Sequence, residues 1–116
     1  MQLVRVTNLS KGTVVAEKAE LAASFLTRLR GLLGRKGLAE GGGLVLRPTD
    51  SIHSFFMSFS FDAIFLDRSG LVLHLMSDMR PNRISPLVRR GHVVVELPAG
   101  GIARSRTSTG DQLRIE

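Results

Sequence analysis

Apolar and polar positions change period several times along the chain, and each change marks an element. The opening MQLVRV and the segment from Thr13 to Ala16 read as two short strands. Asn8-Leu9-Ser10-Lys11-Gly12 between them supplies turn residues, which predicts a hairpin. From Glu17 to Leu33 the spacing becomes helical: Leu21, Phe25, Leu29 and Leu32, with Ala22, Leu26 and Leu33, form one apolar stripe. Gly31 and Gly34 weaken its last turn and Gly37 ends it, so the chain's one predicted helix lies in its N-terminal third. Gly41-Gly42-Gly43 then breaks the pattern before a short strand, Leu44 to Leu46, and a loop at Pro48, Thr49 and Asp50.

Ile52 to Leu66 carries the strongest alternation. Phe55, Met57, Phe59, Phe61, Ala63 and Phe65 fall on one side of an extended chain. Ser54, Ser58, Ser60 and Asp62 fall on the other, with Phe56, Ile64 and Leu66. The second face turns apolar after Asp62, as expected of a strand that passes from a half-exposed rim into a covered core. Asp67-Arg68-Ser69-Gly70 predicts a turn, with Leu71 to Met76 pairing back. Pro81 and Pro86 make residues 78–90 an irregular, basic loop. His92 to Leu97 and Gln112 to Ile115 supply the last strands, separated by the Pro98-Ala99-Gly100-Gly101 break. About seven short strands and one helix predict a mainly β (α+β) sandwich or barrel. At 116 residues the chain is read as one domain, 1–116, large enough to bury a core without a metal or disulfide.

Composition narrows the chemistry. With no cysteine, thiol catalysis, disulfides, iron–sulfur clusters and cysteine-based zinc sites are excluded. No apolar run reaches the length of a membrane span, and MQLVRVTNLSKG lacks a leader's apolar core, so a cytoplasmic location is expected. No G-x-S-x-G, P-loop or G-x-G-x-x-G is present, and His53, His74 and His92 show no metal-ligand spacing. No catalytic group, metal or cofactor is therefore assigned. The net charge is +6, and the eight arginines against four acids from Arg68 onward hold +4 of it. Arg80, Arg83, Arg89 and Arg90 form a candidate basic rim. RNA or single-stranded DNA is the alternative partner class, weakened by the lack of an aromatic residue among residues 78–90.

The order of words in the chain adds a resemblance. RLRGLLGR at 28–35, IHSFFMSFSFDAIFLD at 52–67, VELPAG at 95–100 and G-D-x-L at 110–113 resemble the domain of unknown function 192 family, over nearly the whole chain. Leu33 stands where the family usually has methionine after Gly-Leu, and Phe56 where glycine is frequent before Met57. The resemblance implies a compact, mostly β domain with no established reaction; many such proteins sit behind an export signal. It also marks Arg28, His53, Met57, Asp62, Asp67, Glu96, Gly100 and Asp111. Asp67, Gly100 and Asp111 have ready structural roles in turns. Asp62 and Glu96 lie in strongly apolar strands, where an unpartnered carboxylate would cost several kcal/mol. Each is expected to meet an arginine, a histidine or main-chain donors, with Arg28 and Arg30 as candidates, in a network bracing helix against sheet. Together these features predict a non-catalytic β module that binds a small ligand or a peptide-like partner, or serves as an accessory to another protein, with the nucleic-acid module as the alternative and an enzyme of unknown reaction as the third reading. Arg28, His53, Met57, Asp62, Asp67 and Glu96 are its candidate polar cluster.

Overall fold

The structure is a computed structural model and describes residues 2–22, 37–55 and 57–116. Among the described residues seven strands form one sheet: β1 (Leu3–Asn8), β2 (Thr13–Ala22), β3 (Gly42–Leu46), β4 (Phe61–Leu66), β5 (Val72–Met79), β6 (Val93–Pro98) and β7 (Leu113–Ile115). Their order is β5-β4-β6-β3-β2-β1-β7. Only β2 and β3 pair in parallel; the other neighbours are antiparallel. The sheet curls into a half-barrel whose two outermost strands touch at one end. There Leu71 bridges Gln112, the Val72 N–H donates to the Asp111 carbonyl at 2.9 Å, and the Leu113 N–H donates to the Gly70 carbonyl at 2.9 Å. Gly70 has φ +91°, and a Cβ there would strike the Leu113 carbonyl and the Gln112 amide, so this closure requires glycine.

Strand alternation sorts the core into two layers. Val4, Val6, Val15, Val45, Ile64, Leu66, Val95 and Leu97 fill the concave side. Leu44, Leu46, Phe61, Ala63, Phe65 and Val94 cover the convex side, packed with Met57, Met79 and the half-buried Ile52, Phe59 and Val88 of the flanking loops. Covered on both faces, β4 is buried along its whole length. That accounts for the continuous apolar reading of Ile64 to Leu66.

Two expected elements are corrected. Glu17 to Ala22 is not the start of a helix but the second half of β2, drawn into the sheet by parallel pairing from Lys18–Gly42 to Ala22–Leu46. The rest of that expected helix, residues 23–33, lies outside the described residues. The helix that is described, α1 (Gly101–Ser105), sits near the C-terminus instead and follows the predicted break directly. The long strand expected from Ile52 begins only at Phe61. Residues 47–55 and 57–60 instead lie in loop, the first of these stretches pairing through hydrogen bonds with residues 80–92, and Ser54, expected on a solvated face, is buried. Hairpins β1–β2 and β4–β5 form as expected, with shifted ends.

Candidate functional site

Asp62, marked by the sequence, is held by three main-chain donors. It points to the concave side beside Ile64 and is 1% exposed. One oxygen accepts the Asp78 N–H at 2.8 Å; the other accepts Gly100 N–H at 3.1 Å and Ile102 N–H at 2.9 Å. The carboxylate therefore caps the start of α1, whose own N-cap, Gly100, has no side chain to do so. It also fixes Asp78, whose φ of +55° ends the regular run of β5. Of the expected partner classes, main-chain donors are found, and among the described residues no arginine contributes.

Glu96 is buried as well, but on the opposite face. It pairs in register with Ala63 and Leu44, both on the convex side, whereas Asp62 pairs with Leu97. Asp67 lies at the far end of β4 from Asp62, five residues and about 17 Å of extended chain away. There it accepts Ser69 Oγ–H at 2.7 Å, Ser69 N–H at 2.9 Å and Leu71 N–H at 3.0 Å. The Ser69 hydroxyl, aided by these turn N–H groups, holds its carboxyl below the usual value. Asp62, Glu96 and Asp67 thus do not converge. Arg28 and Arg30 lie outside the described residues. Met57 is buried in the convex-side core, and His53 is exposed, its ring stacked on Phe55 with centroids 5.3 Å apart.

Asp111 organises a second buried cluster. It accepts Asn8 Nδ2–H at 2.9 Å, Lys11 Nζ–H at 2.9 Å and the Ser108 N–H at 2.9 Å, while Asn8 also donates to Thr107 Oγ1 at 3.2 Å. The Asn8 amide first, then Lys11, pushes its carboxyl down to about 2. Thr107 follows Arg106, the C-cap of α1, so the two carboxylates anchor opposite ends of the same short segment. Among the described residues every buried side-chain nitrogen and oxygen has a hydrogen-bond partner, and no cluster of three or more histidines and carboxylates is placed to hold a metal. No helix among them is long and apolar enough to cross a membrane.

The unspent chemistry lies on the paired loops. Ser54 N–H donates to the Arg83 carbonyl at 2.8 Å, and Ser54 Oγ accepts Arg83 N–H at 2.9 Å and donates to the Arg80 carbonyl. Ser85 N–H donates to the Ile52 carbonyl at 2.9 Å, and Ser85 Oγ accepts Ile52 N–H at 2.8 Å. His53 bridges Ile84, and Val88 N–H donates to the Asp50 carbonyl at 2.9 Å. The two loops are thereby tied into one ribbon over the convex-side core. It displays apolar side chains outward: Leu87 is 75% exposed, Ile84 67% and Phe55 37%. Arg80, Arg83, Arg89 and Arg90 flank them, all exposed. Arg80 lies 3.8 Å from the Asp78 carboxylate, and the other three make no ion pair among the described residues. A shallow trough of about 460 Å³ runs between β5 and the second loop, lined by Leu73, His74, Pro86, Leu87, Val88, Arg89 and Arg90. The basic rim was visible in the sequence, whereas the exposed aliphatics beside it were not singled out. Their signal was Ile84 and Leu87 standing in a loop rich in arginine, proline and asparagine.

The comparisons place the chain among proteins of similar shape and open function. A UPF0127 protein of Thermococcus sibiricus is 33% identical over 113 residues, 94% of this chain and 73% of that protein. One from Pyrococcus horikoshii is 31% identical over 112 residues, 94% of this chain and 96% of that protein. A solved structure of a protein of unknown function from Novosphingobium aromaticivorans matches with a TM-score of 0.82 at 24% identity, covering 97% of this chain and 83% of that one. Another, from Sinorhizobium meliloti, matches with a TM-score of 0.81 at 25% identity, covering 97% and 92%; its name offers transcription regulation only as a proposal. The family model DUF192, described as "Uncharacterized ACR, COG1430", matches residues 6–115, and on that match and the archaeal relatives the chain belongs to the DUF192 family.

Proposed function

We propose that this chain is a non-catalytic accessory module that binds a peptide-like segment of a partner protein on the surface of its paired loops. One observation carries the reading. Three large apolar side chains, Phe55, Ile84 and Leu87, stand exposed beside four arginines on a ribbon fixed by buried serines. Scattered exposed aliphatics need no explanation, but a group held on hydrogen-bonded loops and flanked mainly by arginines has the anatomy of an interface. The buried carboxylates support the same division of labour, since Asp62 and Asp111 spend their acceptor capacity on the fold. The test is selection of peptides from a displayed library against the whole chain, followed by measurement on Leu87→Glu and Ile84→Glu. Selected peptides should lose at least about tenfold in affinity to these variants. Failure to select any, or binding indifferent to both substitutions, would remove the reading.

A second reading, single-stranded nucleic acid, is favoured by one feature of the ribbon. The His53–Phe55 stack supplies, from the facing loop, the aromatic surface that residues 78–90 lack. The salt dependence treated in the Discussion separates the two.

A further inference from the structure

The unfinished edge of the sheet suggests what form the partner takes. β5 is an outermost strand, paired with β4 on one side. On its other side, among the described residues, only its first residue is bonded, to the turn that precedes β7: Val72 N–H donates to the Asp111 carbonyl, and Val72 carbonyl accepts Gly110 N–H, each at 2.9 Å. The antiparallel register through Leu71 and Gln112 would carry the next residues of β5 toward residues 109 and 110. Those belong to a turn, with Gly110 at φ +92°, and the chain leaves. Leu73 to Ser77 therefore keep an open edge among the described residues. Edge strands usually carry lysine, proline or an inward charge that discourages a visiting strand. Leu73-His74-Leu75-Met76-Ser77 carries none, its first four residues are only half-buried, and the register shifts of β5 fall at the two ends of this stretch, leaving His74 to Met76 regular.

The trough meets the start of this edge at Leu73 and His74, with Leu87, Arg89 and Arg90 among its other lining residues. No acidic residue occurs from Met79 to Val95, and the acids nearby, Asp50 against Gly91 and Asp67 in a depression shared with Arg90, leave the arginines in excess. We infer that β5 accepts an extended acidic segment of a partner protein as an added strand, a proposal that rests on the peptide-binding reading above. Main-chain hydrogen bonds to β5 supply affinity without regard to sequence. Alternate side chains of the visitor lie toward the trough, apolar ones against Leu87 and acidic ones against Arg89 and Arg90. The arginines also argue against a second copy of this chain as the visitor, because β5 pairing with β5 would bring two copies of the same basic rim together.

The probe is a fluorescein-labelled peptide alternating valine and glutamate, titrated into the whole chain and followed by anisotropy and amide hydrogen exchange. Binding should slow exchange within Leu73–Ser77, weaken about tenfold in Arg89→Glu with Arg90→Glu, and vanish when the peptide is N-methylated along its backbone. The N-methylated peptide leaves the protein untouched, so its loss of binding cannot reflect misfolding. Equal binding of the N-methylated peptide, protection away from β5, self-association through β5, or binding only to phosphatidylglycerol vesicles would each overturn strand addition. Library peptides that still depend on Leu87 and Ile84 would, in that event, leave the broader reading standing. Its own failure is the absence of any such peptide.

Discussion

Replacing Asp62 by alanine tests the link from a buried carboxylate to the placement of α1. The substitution removes one acceptor group and leaves three main-chain donors. Ile102 N–H is fully buried in that bond, so stranding it costs about 1–3 kcal/mol. Asp78 and Gly100 N–H are part-buried; water replaces some of what they lose, and about 1 kcal/mol each is a fair charge. The sum, about 3–5 kcal/mol, is a large share of the ~5–15 kcal/mol that holds a domain of this kind together. Asp62→Asn keeps the volume and one oxygen but turns an amide N–H toward at least one donor, so its loss should be about half as large. Urea unfolding followed by circular dichroism reads both values, with the m-value reporting whether the folded state has changed. Ile102 and Gly100 amides should exchange faster in Asp62→Ala than in the parent. A change within about 0.5 kcal/mol of the parent, or unaltered exchange at Ile102, would refute the capping argument.

Asp111 should make stability fall in acid. Its folded carboxyl is held down to about 2 against an ordinary 3.8, so its contribution is complete above about pH 4 and is lost as pH falls toward 2. That contribution is about 2 kcal/mol, and Asp111→Asn should flatten this part of the pH–stability curve; an identical slope in the variant would sink the assignment. For nucleic acid, four phosphate contacts from Arg80, Arg83, Arg89 and Arg90 would give a logarithmic salt slope of about −3, or about 60-fold over a fourfold rise in salt. The expected result is weak, nonspecific binding. Submicromolar binding of single-stranded DNA at physiological salt, lost in Arg89→Glu with Arg90→Glu, would instead promote the second reading.

What was legible in the sequence was what local periodicity encodes. The β1–β2 and β4–β5 hairpins, the covered character of Ile64 to Leu66 and the irregular basic loop all follow from nearby residues. The misreadings share a cause in distant partners. Glu17 to Ala22 carries a helical spacing, yet each of these residues from Lys18 onward pairs with a residue of β3, a contact invisible to a window along the chain. Helix α1 begins with glycine and has no capping side chain of its own; its cap is Asp62, 40 positions earlier. The serine–phenylalanine alternation before Phe61 imitates a strand, although Ser54 is there to hold two loops together. Asp62 and Glu96 looked like members of one cluster because each is an acid among apolar neighbours. The strand register sends them to opposite faces, a distinction that a one-residue shift would have reversed.

The same register explains why a candidate binding surface sits where it does. β7 has three residues and β5 has eight, so closure of the half-barrel is limited by the shorter strand. Extending β7 backward would require residues 107–111 to be extended. They are committed elsewhere, because Thr107 and Asp111 share the Asn8 amide and Ser108 N–H is bound to the Asp111 carboxylate. The buried cluster around Asp111 therefore fixes where α1 ends and also keeps the chain from completing the sheet along β5. In this fold the polar network and the open edge are two consequences of one placement. If β5 takes a visiting strand, weakening the network by Asp111→Asn should loosen the turn and alter binding of the valine–glutamate peptide without touching a residue that contacts it. Affinity unchanged in Asp111→Asn, alongside a measured loss of stability, would show that the edge is set by strand length alone.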